Sequence, residues 1–450
     1  MKIMITAYNQ AILKNMYFSG LIDRLIDCGF DVTVSTATFK KEYFKSVLER
    51  KRISVVSLNR VHDNTYLDKV FRRIFLILQY TNYWKYKIYE FKGTSRLRGK
   101  FYIALSRFFN LKYFPIFTLI QIFRVLFHKI NINASIEDWE EIDKIDVVFS
   151  TDLFSEEDTK IVKMAKLRGK AVISMVRSWD NCYSKGILRH LPDHVFVNNA
   201  VIKGYLVENH FYPPNNVHIV GYPQYDTFFN KPTMPKDLFL NSIGIDKDKE
   251  IILFLPAGSQ LSSTDDDIVE DILSVFKDEL IDVDCFLIAR NHPGHPANIQ
   301  ERNNCLIMNA GHRFSEGAKF TEFTDDDYIL VKNLIANSSV IINVASSFGV
   351  DALTFEKFQI TIGYDGVKNL DYNNSIKRYH DEEHMRDFLN SGASIIVSSR
   401  DELADALKNI FSDPDYNQKN IIKEKERQMG EFLGLSVDRI SGLIVSLANK

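Results

Sequence analysis

Residues 325–366 read DDDYILVKNLIANSSVIINVASSFGVDALTFEKFQITIGYDG. Within this stretch, Val340 to Val344 is a short run rich in β-branched residues and apolar except for Asn343, which is typical of a buried parallel strand. A helix is predicted over Phe348 to Glu356, and a second apolar strand over Gln359 to Gly363. The order strand, turn, helix, strand predicts a parallel α/β unit.

Two hydroxyl side chains, Ser346 and Ser347, lie at the predicted start of the helix. A helix start presents unpaired N–H groups and the positive end of the helix dipole, so it suits a phosphate. Serine is also a common N-cap residue with no ligand at all. Both interpretations remain open from these two residues alone.

The same alternation of apolar runs and helical patterns extends through most of the chain. It predicts an α/β fold of two Rossmann-like domains that face each other across a cleft, each with a doubly wound parallel sheet. We assign residues 1–233 to an N-terminal domain completed by a C-terminal helix, 436–450, and residues 250–425 to a second domain. The polar, proline-bearing passage 230–249 is interpreted as the linker. The turn after the first strand lacks GxGxxG, so a dinucleotide is not expected there.

A basic, aromatic-rich helical insertion is predicted in the N-terminal domain, over about residues 66–132. Between Lys69 and Lys129 there are thirteen Lys or Arg residues and one acidic residue, Glu90. Such a segment suits docking on an anionic membrane surface. It also suits an ordinary insertion that packs its apolar faces on the domain. Binding of single-stranded nucleic acid is a third interpretation.

Composition excludes several broad classes of protein. The 450 residues carry a net charge of −2, and 45% of them are hydrophobic, as expected for a globular protein of two domains rather than a nucleic-acid binder. The four cysteines are widely spaced, which predicts neither a zinc site nor a disulfide framework. No signal peptide or membrane-spanning run is recognised, so we expect a cytoplasmic protein, and the docking interpretation of the insertion would place it at the inner face of the cell membrane.

The loop from Arg290 to Pro296 (RNHPGHP) directly follows a predicted buried strand. Ligands of open α/β sheets bind beyond the carboxyl ends of the strands, so Arg290 and His292 are candidates to hold a diphosphate or a base. A surface loop with solvated histidines is the alternative. Ser259 ends another strand in a run of small residues that would let the backbone approach a phosphate.

A second loop, residues 177–186 (RSWDNCYSKG), follows a strand of the first domain. Asp180 is a candidate general base for an acceptor hydroxyl, although an Asp before Asn is also a common turn-capping residue. Arg177 and Lys185 are candidates to contact an anionic donor or acceptor. Glu156 and Glu157 are reserve candidates for the base, and they also suit a helix N-terminus.

These motifs together resemble the GT-B fold glycosyltransferases of bacterial surface-polysaccharide synthesis, which include polysialyltransferases, capsular Kdo-transferases and CDP-glycerol glycerophosphotransferases. The resemblance rests on the His292-Pro293 pair, the NVASSFGVDAL segment and the RSWDNCYSKG loop, and it covers most of residues 140–412. It implies that His292, Ser346 and Ser347 contact donor phosphates and that Asp351 contacts the ribose.

The resemblance implies a glycosyltransferase that moves a sugar from a nucleotide-sugar donor to a glycan or lipid-linked acceptor of the capsule or lipopolysaccharide. We expect no metal and no cofactor, because Asp325-Asp326-Asp327 is predicted to open a helix rather than to form a DxD metal motif. The alternatives are a UDP-sugar 2-epimerase of the same fold and a non-catalytic, membrane-docked assembly protein.

Overall fold

The computed structural model describes residues 1–9, 12–49, 52–58, 65–83, 96–309, 311–314, 321–344 and 346–448. The chain forms two compact units. Unit 1 comprises residues 1–226 and 431–450, and unit 2 comprises residues 227–430. Each unit contains a parallel sheet with helices, so the predicted α/β fold class with two Rossmann-like domains is confirmed.

The sheet of unit 1 has the order β3-β2-β1-β4-β5-β6-β7, with all neighbours parallel. Its first strand therefore lies between its second and fourth, which is the switch point where α/β sheets bind ligands. The strands are β1 (Lys2–Ala7), β2 (Asp31–Thr36), β3 (Ile53–Val56), β4 (Val147–Ser150), β5 (Ala171–Met175), β6 (His194–Val197) and β7 (Val217–Ile219).

The helices described in unit 1 connect its strands, and several of them follow one another between β3 and β4. They are α1 (Ile12–Met16), α2 (Leu21–Asp27), α3 (Lys41–Val47), α4 (Tyr66–Ile77), α5 (Arg96–Phe109), α6 (Ile116–Lys129), α7 (Ile136–Asp143), α8 (Glu156–Leu167), α9 (Asn181–Ser184), α10 (Ala200–Asn209) and α11 (Pro223–Asn230), whose end enters unit 2.

The C-terminal helix α20 (Ser436–Ala448) belongs to unit 1. Ile440 and Ile444 are fully buried in the core formed by β1, β2 and α2. The start of the helix is held by Asp226, which accepts a hydrogen bond from the Val437 N–H at 2.7 Å. The chain thus returns to its first unit because this helix has an apolar face that only unit 1 covers.

The predicted insertion contains α4, α5 and α6, while residues 84–95, Glu90 among them, lie outside the described residues. The inner faces of α4 and α6 bury Phe75, Ile120 and Phe127 against Ile187. Gly186, with φ +83°, permits this contact, because a Cβ there would lie 2.8 Å from the Cα of Leu76 in α4. Among the described residues, no helix has the length and apolar composition needed to cross a bilayer.

The sheet of unit 2 has the order β10-β9-β8-β13-β14-β15, again with all neighbours parallel. The switch point lies between β8 and β13. The strands are β8 (Glu250–Leu255), β9 (Cys285–Arg290), β10 (Cys305–Met308), β13 (Val340–Asn343), β14 (Phe358–Ile362) and β15 (Ile395–Val397), and a separate antiparallel pair is formed by β11 (His312–Arg313) and β12 (Thr321–Glu322).

The helices of unit 2 cover the two faces of this sheet. They are α12 (Lys236–Ser242), α13 (Asp265–Lys277), α14 (Asp325–Asn337), α15 (Phe348–Leu353), α16 (Lys377–His380), α17 (Glu383–Asn390), α18 (Arg400–Ser412) and α19 (Gln418–Met429). As predicted, the three aspartates open a helix: Asp327 forms a capping box with Thr324 at the start of α14.

Two expectations about unit 2 need correction. The passage 230–249 is not a bare linker, because α12 within it buries Phe239 and Leu240 and belongs to unit 2. The helix predicted over Phe348 to Glu356 ends at Leu353, and the chain turns at Glu356 with φ +53°. A helix of six residues has less than two turns, so its dipole contributes less to anion binding than the sequence pattern indicated.

Candidate functional site

Arg290 is the last residue of β9 and lies at the carboxyl edge of the unit 2 sheet. Its side chain is only 6% exposed. Its Nε is buried and has no hydrogen-bond partner, and no described carboxylate lies within ion-pair distance of the guanidinium. A buried charge is ordinarily paired, so this guanidinium retains hydrogen-bonding capacity for an anion.

Aromatic rings rather than carboxylates surround Arg290. The guanidinium carbon lies 5.9 Å from the Phe323 ring centroid and 5.7 Å from that of Phe348, the first residue of α15. Burial lowers the pKa of Arg290 to about 10, and the nearby charges of Asp351 and Asp327 oppose this shift. The side chain is therefore positively charged at neutral pH.

The imidazole of His292 is oriented by its own loop. Its Nδ1 accepts hydrogen bonds from the N–H groups of Gly294 and His295, each at 3.1 Å. Two N–H donors on Nδ1 place the proton of the neutral ring on Nε2. The residue is exposed to solvent, but desolvation of its ring by the surrounding protein lowers its pKa to about 4, and electrostatic interactions with His295 and Arg290 add to this shift. His292 is thus a neutral donor through Nε2.

Ser259 is exposed and lies beside the His292 loop. Its neighbour Gly258 has φ +88°, and a Cβ there would lie 2.2 Å from the His295 carbonyl oxygen. The N–H groups of Ala257 and Gly258 donate to the Asp265 carboxylate at 3.0 and 2.9 Å. The small residues therefore allow the histidine loop to approach, and the N–H groups of Ala257 and Gly258 are already bonded to Asp265. A contact between Ser259 and a phosphate stays a prediction.

The serine pair divides into two different roles. The Ser346 hydroxyl accepts a hydrogen bond from the Phe348 N–H at 3.2 Å, so this residue caps the start of α15. Ser347 occupies the N-cap position, is exposed and makes no side-chain capping bond. Ser346 therefore acts as a capping residue, as one of the two interpretations proposed. The hydroxyl of Ser347 makes no capping bond and points to no role in the helix start.

The candidate donor residues converge at one edge of unit 2. Phe348 connects Arg290 to the serine turn, Asp351 acts electrostatically on Arg290, and Gly258 places Ser259 beside the loop of His292. The roles of these residues in binding stay predictions.

Asn343, at the same edge, was missed as a site residue. It is 1% exposed, and its Nδ2 is buried without a partner. The signal in the sequence was that it is the only polar residue in the VIINV strand.

In unit 1, Arg177 follows β5 and is anchored by Asp152. The Arg177 Nε donates to Asp152 Oδ2 at 2.8 Å, and the Asp152 side chain is 5% exposed. Asn9 and Asn181 also donate to this carboxylate. Burial lowers the pKa of Arg177, but the charge of Asp152 and of further carboxylates outweighs burial and raises it.

The sequence did not reveal that Asp152 pairs with Arg177, because the two residues follow different strands, β4 and β5.

Asp180 does not cap a turn through the backbone as the alternative interpretation required. It stands at the N-cap position of α9 without a side-chain bond to the helix N–H groups. Its two oxygens instead accept hydrogen bonds from the hydroxyls of Ser178, at 2.5 Å, and Ser184, at 3.1 Å. The half-buried carboxylate is therefore oriented by two hydroxyls in the same loop.

The remaining unit 1 candidates lie in other surroundings. Glu156 forms a bidentate ion pair with Arg189 at 2.7 and 2.8 Å, so proton abstraction would require this pair to break. Glu157 is half-buried in the first turn of α8, and Lys185 is exposed at the end of α9. Among the described side chains, no group of three or more His, Cys, Asp or Glu is arranged to hold a metal ion. Metal independence remains a prediction.

Comparison with protein families decides the class of this chain. The sequence profile of the CDP-glycerol:poly(glycerophosphate) glycerophosphotransferases matches residues 172–445, which is more than half of the chain. The chain belongs to this family. This glycerophosphotransferase family places it among transferases of cell-surface polymer synthesis that use a nucleotide-activated donor, so the predicted class of enzyme is confirmed. No individual curated sequence shows significant similarity to the chain.

Solved structures share the fold of this glycerophosphotransferase-family chain at low identity. UDP-GlcNAc 2-epimerase from Neisseria meningitidis bound to UDP-GlcNAc matches with a TM-score of 0.55 and 12% identity, over 99% of this chain and 100% of that one. The wall teichoic acid polymerase TagF matches with a TM-score of 0.54 and 11% identity, over 100% and 89%. The UDP-GlcNAc 2-epimerase from Methanocaldococcus jannaschii matches with a TM-score of 0.54 and 14% identity, over 99% and 100%. These similarities concern the fold.

Proposed function

We propose that unit 2 binds CDP-glycerol and that the chain transfers glycerol phosphate to a hydroxyl group of a glycerophosphate-containing surface polymer or of its lipid-linked precursor. The name of the family supports this choice of donor. With this donor, the polymer that the enzyme extends is proposed to resemble a teichoic acid rather than a capsule polysaccharide or lipopolysaccharide. The transferred group is then glycerol phosphate rather than the sugar expected from the sequence.

One observation carries the assignment of the donor site. Arg290 places a buried positive charge, without an anionic partner among the described residues, at the carboxyl end of a strand next to the switch point. A diphosphate supplies the missing oxygen acceptors and the opposite charge. His292 adds a neutral N–H, and Ser347 adds a hydroxyl at the same edge.

In the proposed reaction, the acceptor oxygen attacks the phosphorus that bears glycerol, and the bond from that phosphorus to the oxygen of CMP breaks. Asp180 takes the proton of the acceptor hydroxyl. Arg177 and Lys185 are assigned to the acceptor, whose phosphodiester groups are anionic. Arg290 and His292 stabilise the charge that develops on the leaving CMP, which is why we propose catalysis without a metal.

The nucleotide that is released tests this proposal. With CDP-glycerol and a polymer primer, we expect CMP and elongated primer in equal amounts, at a rate unchanged by EDTA. Transfer of a sugar from a nucleoside diphosphate sugar would instead release a nucleoside diphosphate. Isomerised UDP-GlcNAc without any acceptor would overturn the transferase and favour the epimerase.

The protonation state of His292 gives a second prediction. Because Nδ1 accepts two N–H bonds, His292→Gln retains an N–H donor near the position of Nε2, and we expect it to keep at least about a tenth of the wild-type kcat/KM. His292→Ala is expected to lose roughly a hundredfold, as when an oxyanion donor is removed. A pKa lowered to about 4 leaves the ring neutral above about pH 5, so kcat/KM should show no titration of this histidine between pH 6 and 8. Equal losses in the two variants would contradict this role.

We also propose that the insertion docks the enzyme on an anionic membrane surface. Among the described residues, the outer faces of α5, α6 and the turn between them expose large apolar side chains next to cations. These include Leu97, Phe101, Phe108, Tyr113, Phe117, Ile122 and Val125. From residue 96 to 135 the sequence contains no Asp or Glu. Apolar groups and an excess of positive charge in the sequence of this segment together match the interface of an anionic bilayer.

Vesicle binding tests this surface. We expect binding to phosphatidylglycerol vesicles that weakens with salt, and weak binding to phosphatidylcholine. The double variant Arg98→Gln/Lys100→Gln removes two exposed charges of α5 and should lose about 2 kcal/mol, or roughly thirtyfold in affinity. Lys419→Gln/Lys423→Gln, in α19 of unit 2, is the matched control. Equal losses in both double variants would mean that the insertion does not direct docking.

A further inference from the structure

Asn343 ends β13 and has a buried amide nitrogen that makes no hydrogen bond within the described part of the chain. The residue is 1% exposed, and its Nδ2 atom is completely buried. No described residue accepts a hydrogen bond from that amide group. A buried polar group without a partner is unfavourable, and an apolar residue would serve the strand better. The asparagine therefore requires an explanation outside the core of the sheet.

The alternation of the strands shows which face of the sheet Asn343 occupies. Val340 and Ile342 belong to the core cluster between the sheet and α13 and α18, so Asn343 lies on the opposite face. In β9, Leu287 and Ala289 belong to the same cluster. Arg290, the next residue, therefore shares the face of Asn343.

The register of the strands also places Asn343 and Arg290 at the same position along the strand direction. Asn343 pairs with Leu255 of β8, while Ala289 of β9 pairs with Phe254. Arg290 is therefore level with Leu255 on the other side of β8. The buried side chains of Arg290 and Asn343 thus lie on either side of Leu255, the last residue of β8, at the carboxyl edge of the sheet. Each has an N–H group without a partner among the described residues.

We infer that Asn343 is a donor-binding residue whose amide N–H hydrogen-bonds a phosphate oxygen of the nucleotide donor. This inference rests on the proposed function, because the same donor is held by Arg290. A phosphate fits better than a hydroxyl group or a base at this edge, since the unsatisfied atoms recorded at the last residues of β9 and β13, Arg290 Nε and Asn343 Nδ2, are both N–H donors. Gln359 of β14, whose Oε1 and Nε2 also lack a partner among the described residues, pairs with Ile341 and so lies two residues further from this edge. Asn343 thus supplies a neutral donor to the diphosphate from the side of β13.

The variant Asn343→Leu tests the inference, because leucine has nearly the same shape as asparagine and no polar atom. We expect its melting temperature to equal or exceed that of the wild type, while its Kd values for CDP and CDP-glycerol rise about ten- to a hundredfold. Asn343→Val, which suits a buried strand, carries the same expectations if the leucine variant does not fold.

Asn333→Leu, in α14 of the same unit, is the matched control. Asn333 is also buried, at 4% exposure, but its amide accepts from the Met234 N–H and donates to the Ile329 carbonyl. This variant is expected to melt at a lower temperature and to bind CDP like the wild type. Its stability should therefore change in the opposite direction from that of Asn343→Leu.

Three outcomes would overturn the inference. Asn343→Leu that binds CDP as the wild type does would show that the amide does not contact the diphosphate. A weakened Kd for CDP-glycerol with an unchanged Kd for CDP would place the contact on glycerol instead. Wild-type protein that binds no cytidine nucleotide in calorimetry would overturn the proposed function, and this inference with it.

Discussion

The variant Arg290→Met is expected to lower kcat/KM for the activated donor about a hundred- to a thousandfold, the effect of removing a group that stabilises developing charge. Burial withdraws the guanidinium from water, which makes its interaction with a diphosphate stronger than that of an exposed cation. The Phe323 and Phe348 rings hold it without using its N–H groups. The Nε–H of Arg290, which has no partner among the described residues, is therefore available to the ligand.

The same substitution is expected to leave stability unchanged or higher. Methionine fills much of the space of the arginine stem, and it removes a buried charge that has no described carboxylate within ion-pair distance. Steady-state kinetics with CDP-glycerol and thermal unfolding without ligand give the two measurements. An Arg290→Met variant that unfolds at a much lower temperature yet retains its kcat/KM would assign a structural role to this residue.

Arg302 of the same unit provides the control for Arg290→Met. Its guanidinium is bonded to Asp266 at 2.6 and 2.8 Å and to Glu270 at 2.9 Å. The variant Arg302→Met breaks these ion pairs and is expected to lower stability modestly while leaving kcat/KM unchanged. Comparison of the two variants thus distinguishes the loss of a contact to the ligand, at Arg290, from the loss of an ion pair within the protein, at Arg302.

The second large effect is expected for Asp180→Asn, which should lower kcat by about a hundred- to ten-thousandfold with little change in KM. An amide has nearly the shape of the carboxylate and can bond with the Ser178 and Ser184 hydroxyls, but it cannot accept the proton of the acceptor. Thermal unfolding should therefore resemble that of the wild type. The rate of transfer at saturating donor and primer measures the effect.

Glu156→Gln is the matched comparison in unit 1. It leaves Arg189, whose side chain is 8% exposed, without the bidentate carboxylate that pairs with it. Breaking such a pair costs about 3–5 kcal/mol of stability when the remaining charge is buried. We expect lower stability and an unchanged rate per folded molecule. If Asp180→Asn were fully active and Glu156→Gln inactive but stable, the general base would be Glu156.

Patterns local to the sequence predicted much of this protein. Short, nearly continuous runs of apolar, largely β-branched residues such as VIINV predicted the parallel strands. Such strands are buried on both faces of the sheet and are therefore apolar almost throughout. Because loops after parallel strands meet at one edge of the sheet, the order of strands and loops also predicted that Arg290, His292, Ser259 and the serine pair share an edge.

Tertiary structure decided which of these groups remain available to a ligand. From the sequence pattern, Glu156 and Asp180 were both candidates for the general base. In the structure, Arg189 comes from another loop and forms an ion pair with Glu156. In the same way, Asp265 accepts hydrogen bonds from the N–H groups of Ala257 and Gly258. The hydroxyl of Ser346 caps α15, whereas that of Ser347 does not.

The sequence by itself therefore determined the class of fold, the edge of each sheet that carries the candidate residues and the types of side chain found there. Only the tertiary structure decided that Arg290 Nε and Asn343 Nδ2 lack hydrogen-bond partners among the described residues while Glu156 is paired. The physical reason is that strand and helix formation depends on neighbours within a few residues. The hydrogen-bonding state of a buried side chain depends instead on groups tens of residues away in the chain that the packed fold brings together.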